Sequence, residues 1–184
     1  MTEFTYDEER ATHATLWLLK RHGTLDHIKI LKLILLADLD HLAKYGRPII
    51  GGPYFAMEHG PVCSSLYDDL KLLSTSPSAC KLSGTSSVND FTVRATADPN
   101  EEYLSETDLE VLHAINEEFG SWDSFRLSDY THKLKAWKKN YKGPHPDGKP
   151  AAYKIPYEDF IAERLDSTMA AIVEDTQEAE RTLG

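Results

Sequence analysis

Apolar positions in the N-terminal part of the chain repeat at the spacing of an α-helix. Residues 6–22 have an apolar side, begin at a capping box formed by Thr5 and Glu8, and end before Gly23. We therefore predict a first amphipathic helix over this range, packed with its apolar side against the rest of the molecule.

The segment from Asp26 to Tyr45 is the most apolar part of the chain and predicts a second, largely covered helix. On a helical wheel, four charged residues share one narrow polar stripe and four apolar residues lie opposite them. The polar stripe consists of Lys29, Lys32, Asp40 and Lys44, and the opposite side of Leu31, Ile34, Leu35 and Leu42.

The pattern changes after this helix. Glycine and proline at 46–53 predict turns, and residues 54–57 predict a short extended piece. A third helix is expected to open at Gly60-Pro61, because proline is well tolerated at the first helical position. Its buried face is expected to consist of Val62, Leu66, Leu70 and Leu73.

Residues 74–100 are rich in serine, threonine and glycine, and we predict a β-hairpin at about 79–95 with strands at 80–82 and 91–93. Helical spacing returns in a helix capped by Ser105, in a shorter helix around 122–130 and in a last helix beginning near Tyr157. The last helix carries Phe160, Ile161, Leu165, Met169 and Ile172.

These elements predict a mainly α fold, a compact bundle of about six helices with one small inserted β-hairpin. We expect a single domain over residues 1–184, with a core of about 5–175 and an acidic C-terminal tail. The length of 184 residues and an apolar fraction of 41% fit this expectation.

Charge and cysteine content narrow the classes of function. The net charge of −10 disfavours general nucleic-acid binding. The lysine-rich stretch 133–142 is interpreted as a solvated helix face and a loop, with a DNA-binding autoregulator as the alternative. The two cysteines have no metal-site spacing, the N-terminus has no apolar signal core, and residues 33–37 are the longest apolar run. We therefore expect a cytoplasmic protein without a membrane span.

Asp38 is the most informative candidate for chemistry, because the wheel places it among apolar residues of the second helix. A buried carboxylate is costly unless it is paired or hydrogen-bonded. In the structural interpretation, backbone N–H groups or a tyrosine hydroxyl satisfy it, with the helix start at Gly60-Pro61 as an attractive donor. In the functional interpretation, Asp38 and His41 form an acid–base or metal pair. The structural interpretation is favoured.

No catalytic motif is present: the sequence has no GxSxG, P-loop, HExxH or GxGxxG. We therefore predict that the protein is not an enzyme and needs no cofactor or metal. His132 is interpreted as a core histidine, and Trp137 as a core or interface anchor.

Several segments together resemble the Panacea domain of SocA-like antitoxins. The resemblance rests on the order of four elements: a leucine-rich helix, a turn, a Gly-Pro-Val step and a later Thr-His and Trp element. In this sequence they are Leu33–Asp38, Tyr45-Gly46-Arg47-Pro48, Tyr54 with Gly60-Pro61-Val62, and Leu127–His132 with Trp137. A Ser105-x-x-Asp108 helix lies between the last two.

The resemblance implies a mainly helical cytoplasmic antitoxin, encoded in bacteria, plasmids or prophages, that binds a cognate toxin, often a translation inhibitor. It would act by occluding the toxin or by delivering it to a cellular protease. The motif residues would form a shared scaffold and line any pocket, and the toxin would bind variable surfaces elsewhere. These motif residues are Asp38, His41, Tyr45, Arg47, Tyr54, Gly60, Pro61, Thr131, His132 and Trp137.

The alternative from a different class is an enzyme or a ligand- or metal-binding protein. It requires Asp38, His41, Tyr54 and His132 to converge in one open pocket, which the structure can test.

Overall fold

The computed structural model describes residues 3–71, 82–87, 90–147 and 149–163, and for 82–87 and 90–91 only the backbone. The helices are α1 (Glu8–His22), α2 (His27–Tyr45), α3 (Ser64–Lys71), α4 (Glu106–Phe119), α5 (Ser124–Thr131), α6 (Lys135–Asn140) and α7 (residues 157–163). The strands are β1 (Thr24–Asp26), β2 (Tyr54–Met57), β3 (Gly60–Cys63), β4 (Leu82–Ser87), β5 (Asp90–Ala95) and β6 (Tyr153–Ile155).

Local sequence signals position α1 and α2 as predicted. The cap of α1 is Asp7, whose side chain accepts from the backbone N–H of Arg10, so the expected capping box at Thr5 and Glu8 is wrong. Asp26 caps α2 in the same way. Both helices end at glycines with positive φ, Gly23 and Gly46, as the sequence predicts.

Helix α2 lies at the centre of the molecule. Helices α1, α3, α4 and α5 and strand β3 all pack against it. Twelve of its residues are buried, so its apolar side extends most of the way round the helix. The predicted apolar side is confirmed, but Lys32 of the predicted polar stripe is buried as well. The largely buried α2 therefore organises the core.

The predicted helix start at Gly60-Pro61 is wrong. Gly60–Cys63 is strand β3, which pairs antiparallel with β2 so that Met57 lies opposite Gly60 and Tyr54 opposite Cys63. Gly60 has a φ of +96°, and the helix begins only at Ser64. Proline is accepted here because the strand lies at an edge of the sheet, whose order is β3-β2-β6.

A second three-stranded antiparallel sheet has the order β1-β5-β4. The predicted hairpin is present as β4 and β5, although Cys80 and Lys81 of its predicted first strand lie outside the described residues. Strand β1, joined to β5 with Leu25 opposite Val93, and strand β6 were not expected. Because β2 and β3 form another hairpin, the single-hairpin prediction is wrong, and strands of three or four residues have too few positions to show alternation.

The C-terminal half follows the helical predictions closely. The capping box of α4 is formed by Ser105 and Asp108, and Asp123 caps α5. The lysine-rich stretch 133–142 contains the short helix α6. All five lysines of the stretch are exposed, as expected for a solvated helix face and a loop. The last helix is α7, and its described part ends at residue 163. The predicted positions Leu165, Met169 and Ile172 therefore lie outside the described residues.

Among the helices of the described part, each is too short or too polar to cross a lipid bilayer.

The N-terminal residues pack against the turn after α2 through a glycine that has no room for a side chain. The N–H of Gly52 donates to the carbonyl of Phe4, and the N–H of Asp7 to that of Ile50. At Gly51, with a φ of +69°, a β-carbon would lie 2.5 Å from the carbonyl oxygen of Thr5. The turn therefore requires glycine both for its backbone angle and for space.

We expect Gly51→Ala to lower the free energy of unfolding by more than about 2 kcal/mol, because the strained backbone angle is joined by a backbone clash. Gly46→Ala is the matched control, since its φ is +73° and nothing lies within 4 Å of an added β-carbon. The control should lose only about 1–2 kcal/mol in urea unfolding. Equal losses in the two variants would contradict the close approach to Thr5.

Candidate functional site

Asp38 lies buried in the middle of α2 and accepts three hydrogen bonds. Its Oδ1 accepts from the backbone N–H groups of Ile49 and Ile50 at 2.8 and 2.9 Å, and its Oδ2 accepts from the Tyr54 hydroxyl at 2.9 Å. The expected burial of Asp38 and the expected kinds of donor are confirmed. The donors come from the turn after α2 and from Tyr54 at the start of β2, so the expected role of Gly60-Pro61 as donor is wrong.

The protonation of Asp38 is governed by opposing effects. Burial raises the pKa of its carboxyl to about 7, and the hydrogen bonds from Ile50, Tyr54 and Ile49 act in the opposite direction. Burial also raises the pKa of the Tyr54 hydroxyl well above its ordinary value, so this hydroxyl remains a donor. The Asp38 carboxyl thus joins α2 to the following turn and to β2.

His41 is buried one turn along α2 but belongs to a different cluster. Its Nδ1 donates to the carbonyl of Arg47 at 2.7 Å, and its Nε2 lies 3.0 Å from Thr107 Oγ1 and 3.1 Å from Asp108 Oδ1. Burial lowers the pKa of His41, and the neighbouring Asp108 carboxylate acts in the opposite direction. Because both ring nitrogens of His41 contact Arg47, Thr107 and Asp108, the acid–base or metal pair with Asp38, which was the less favoured interpretation, is not formed.

Asp108 is the centre of this second cluster, and sequence reasoning recognised only its capping role. The carboxylate is buried, accepts from the backbone N–H of Ser105 at 2.9 Å and pairs with Arg47 Nη2 at 2.9 Å. Arg10 Nε lies 3.7 Å away. The exposed Tyr45 lies beside it, with its ring 4.7 Å from that of His41 and its hydroxyl donating to Glu110. Through the contacts of Asp108 with His41 and Arg47, this cluster connects the start of α4 to the end of α2 and the turn that follows it.

Lys32 is the largest departure from the sequence prediction, because it is only 1% exposed. Its Nζ donates to the carbonyl of Pro61 at 3.0 Å, beneath the strand β3. Burial lowers the pKa of this amine to about 7. A lysine on the polar side of a helical wheel is expected to be exposed to solvent. Lys32 is buried because the β2–β3 hairpin packs onto α2.

The hairpin formed by β2 and β3 is also held from its other side. Trp137 Nε1 donates to the carbonyl of Met57, and His132 Nε2 to that of Glu58, both at 2.9 Å. The two rings contact each other with centroids 4.5 Å apart. Trp137 and His132 thus clamp the hairpin turn, and His132 does not approach Asp38 as the enzyme hypothesis requires.

Gly60 allows the hairpin to lie close to two buried polar side chains. A β-carbon at this position would lie 2.7 Å from Lys32 Nζ and 3.0 Å from Thr131 Oγ1. Thr131 itself is buried and donates to the carbonyl of Ser128. The Gly60-Pro61 step is therefore required for close packing and not for starting a helix.

The thiol of Cys63 is also an unsuitable nucleophile. It is buried, its Sγ lies 3.5 Å from the carbonyl oxygen of Gly51, and burial raises its pKa to about 12. A thiol with such a pKa remains protonated near neutral pH. Cys80, the other cysteine, lies outside the described residues.

The structure does not gather the candidate residues into one open pocket. Three surface cavities have volumes of about 420, 500 and 270 Å³, and Asp38, His41 and His132 line none of the three. Within the described ranges, no group of three or more His, Cys, Asp or Glu side chains is placed to hold a metal ion. Most of the candidate residues instead make hydrogen bonds or close contacts inside the fold.

We expect Asp38→Leu to destabilise the protein by about 1–3 kcal/mol, because it leaves two backbone N–H groups and the Tyr54 hydroxyl without an acceptor. Tyr54→Phe removes one of the three bonds and should lose less in the same urea titration. An unchanged unfolding midpoint for Asp38→Leu would disprove the role of this carboxylate in the core.

Lys32→Met tests the buried amine through pH. Between pH 7 and 10 the unfolded wild-type chain keeps a proton on Lys32 that the folded chain has released, so folding becomes more favourable as pH rises. The stability of the wild type relative to Lys32→Met should therefore increase by up to about 1.4 kcal/mol per pH unit over this range. Parallel stability curves for the two proteins would show that Lys32 stays protonated in the fold.

Comparison with known proteins places these residues in a family. The family model described as "Antitoxin SocA-like, Panacea domain" matches residues 30–138, a range that contains every residue of the two clusters and the hairpin clamp except Arg10. No curated protein and no solved structure matches the chain. Because the match covers more than half of the 184 residues, the chain belongs to the SocA-like antitoxin family with a Panacea domain.

Proposed function

We propose that this protein is the antitoxin of a toxin–antitoxin pair and neutralises a cognate toxin, a translation inhibitor, by direct protein–protein contact in the cytoplasm. The observation that carries the proposal is the family match over residues 30–138. The toxin would be encoded beside the antitoxin, in a bacterial chromosome, a plasmid or a prophage.

The geometry supports a binding role because the candidate polar residues have partners within the fold. Asp38, His41, His132 and Trp137 all make hydrogen bonds to the chain's own backbone. Hydrogen bonds of this kind hold a scaffold together, and they are what a structural role of these residues requires. Toxin recognition would then use the surface and leave the motif residues in place.

Charge favours a basic partner. The chain carries a net charge of −10, and a negative field increases the rate at which a positively charged protein associates with it. Toxins that act on ribosomes or on RNA must approach a polyanion, so a basic surface is consistent with a translation-inhibiting toxin. The same acidic charge makes DNA binding through the lysine-rich stretch the less favoured function.

Coexpression tests the proposal. The antitoxin and the toxic product of the neighbouring gene are placed under separate promoters, and growth and copurification are measured. We expect restored growth, a stable complex with the toxin, and the same result for a folded Asp38→Asn variant. A wild-type protein that folds but neither restores growth nor binds the toxin would overturn the proposal.

The same experiment separates occlusion from delivery to a protease. Occlusion predicts that the toxin accumulates in the complex at undiminished level. Delivery predicts that the toxin disappears when the antitoxin is induced and returns in cells that lack the responsible protease. We propose occlusion, so a fall in toxin level that depends on a protease would replace it by delivery.

A further inference from the structure

Helix α5 presents an exposed aromatic side chain that the fold does not use. Phe125 is 85% exposed, the highest value among the large apolar side chains of the described residues. It lies in the first turn of α5, where a polar residue would serve the helix equally well. A fully solvated phenylalanine contributes little to folding, and large exposed apolar groups commonly mark interaction sites.

Phe125 belongs to a continuous helical face. Phe125, Arg126, Asp129 and Tyr130 are all exposed, and on a helix their directions span an arc of about 140°. On the opposite side of α5, Leu127 is buried against the core. We call these four exposed residues the α5 face.

Aromatic packing beneath the α5 face orders its side chains. Trp122 lies edge-on to both Phe119 and Tyr130, with ring centroids 5.0 and 5.6 Å apart, and Phe119 and Tyr130 are 5.2 Å apart. The guanidinium of Arg126 lies over the Trp122 ring at 3.7 Å. Tyr130 and Arg126 are therefore held in place before any partner arrives, which lowers the entropy lost on binding.

A cavity of about 420 Å³ adjoins the α5 face. Tyr130 and Phe119 line it together with residues of α2, α4 and α7. The region thus offers a projecting phenylalanine and, beside Tyr130, a recess into which a partner's side chain fits. Protruding aromatics, arginine and adjoining recesses are typical of the energetically dominant part of protein–protein interfaces.

The charges around the α5 face indicate the partner. Asp40, Glu118 and Glu163 line the adjoining cavity, Asp123 caps α5, and Asp129 lies on the α5 face. The nearby exposed cations are Arg126, whose charge lies over Trp122, Lys133, and Lys44, which is paired with Asp40. The acidic groups outnumber the basic ones, so the rim complements a basic surface.

We propose that the α5 face binds the toxin, through an apolar pocket on the toxin that receives Phe125 and is bordered by lysine or arginine residues. This inference rests on the proposed antitoxin function and assigns that function a surface. Tyr130 and Arg126 provide the ordered surround, and Asp129 meets a toxin cation. The buried motif residues support α5 from below without touching the toxin.

The test compares Phe125→Ser with Tyr103→Ser in the full-length chain, using affinity for the coexpressed toxin and growth rescue. Tyr103 is the matched control because it is 45% exposed and lies outside the α5 face, where it stacks on His13. We expect Phe125→Ser to keep the wild-type melting temperature and to weaken toxin binding at least tenfold, with loss of rescue. Tyr103→Ser should bind and rescue as the wild type does.

Asp129→Lys provides a second variant that tests charge and not apolar contact. It should lower the association rate with the toxin at least several-fold, and added salt should reduce the difference from the wild type. An association rate that is unchanged or increased would overturn the basic rim of the proposed toxin pocket.

The remaining outcomes are distinguishable. If the wild type neutralises the toxin and Phe125→Ser does so equally well, or if both serine variants lose binding equally, the α5 face is not the toxin site and the antitoxin function stands. If Phe125→Ser instead converts a dimer to a monomer and keeps toxin affinity, the face joins two copies of this chain. If the wild type does not neutralise the toxin, the antitoxin function and this surface are both overturned.

Discussion

The three hydrogen bonds accepted by Asp38 determine how the chain returns from α2 to the first sheet. Two of them hold the backbone of Ile49 and Ile50, and the third holds Tyr54 at the start of β2. A carboxylate can satisfy this many donors at once where no apolar residue could, which explains an acid in the core. Because the turn is fixed, β2 is positioned against α2, and the hairpin follows from it.

The β2–β3 hairpin is in turn held from two sides. On one side, Lys32 of α2 donates to the carbonyl of Pro61. On the other side, His132 donates to the carbonyl of Glu58 and Trp137 to that of Met57. Every one of these bonds goes to a backbone carbonyl, so the hairpin's own side chains remain independent of the clamp. The absence of a β-carbon at Gly60 lets the layers approach closely enough for the bonds to form.

The buried polar residues and the most exposed aromatic residue have different roles in this protein. The polar residues that stand out in the sequence hold the scaffold together, whereas Phe125 of the α5 face makes little contribution to it. In this chain the buried network reaches α5 through Thr131, so the scaffold also sets the position of the surface that we propose for the toxin.

The sequence by itself determined the main helices and the burial of Asp38, because helix periodicity and caps are local and an acid on an apolar face must be satisfied. Tertiary structure decided the rest. Gly60-Pro61 has the local properties of a helix start, yet pairing with β2 makes it a strand. Lys32 lies on the polar side of the helical wheel, as a solvent-exposed lysine would, yet the β2–β3 hairpin covers it. The reason is contact with distant parts of the chain, since Lys32 is covered by a hairpin 29 residues further on, and that hairpin is held by Lys32, His132 and Trp137.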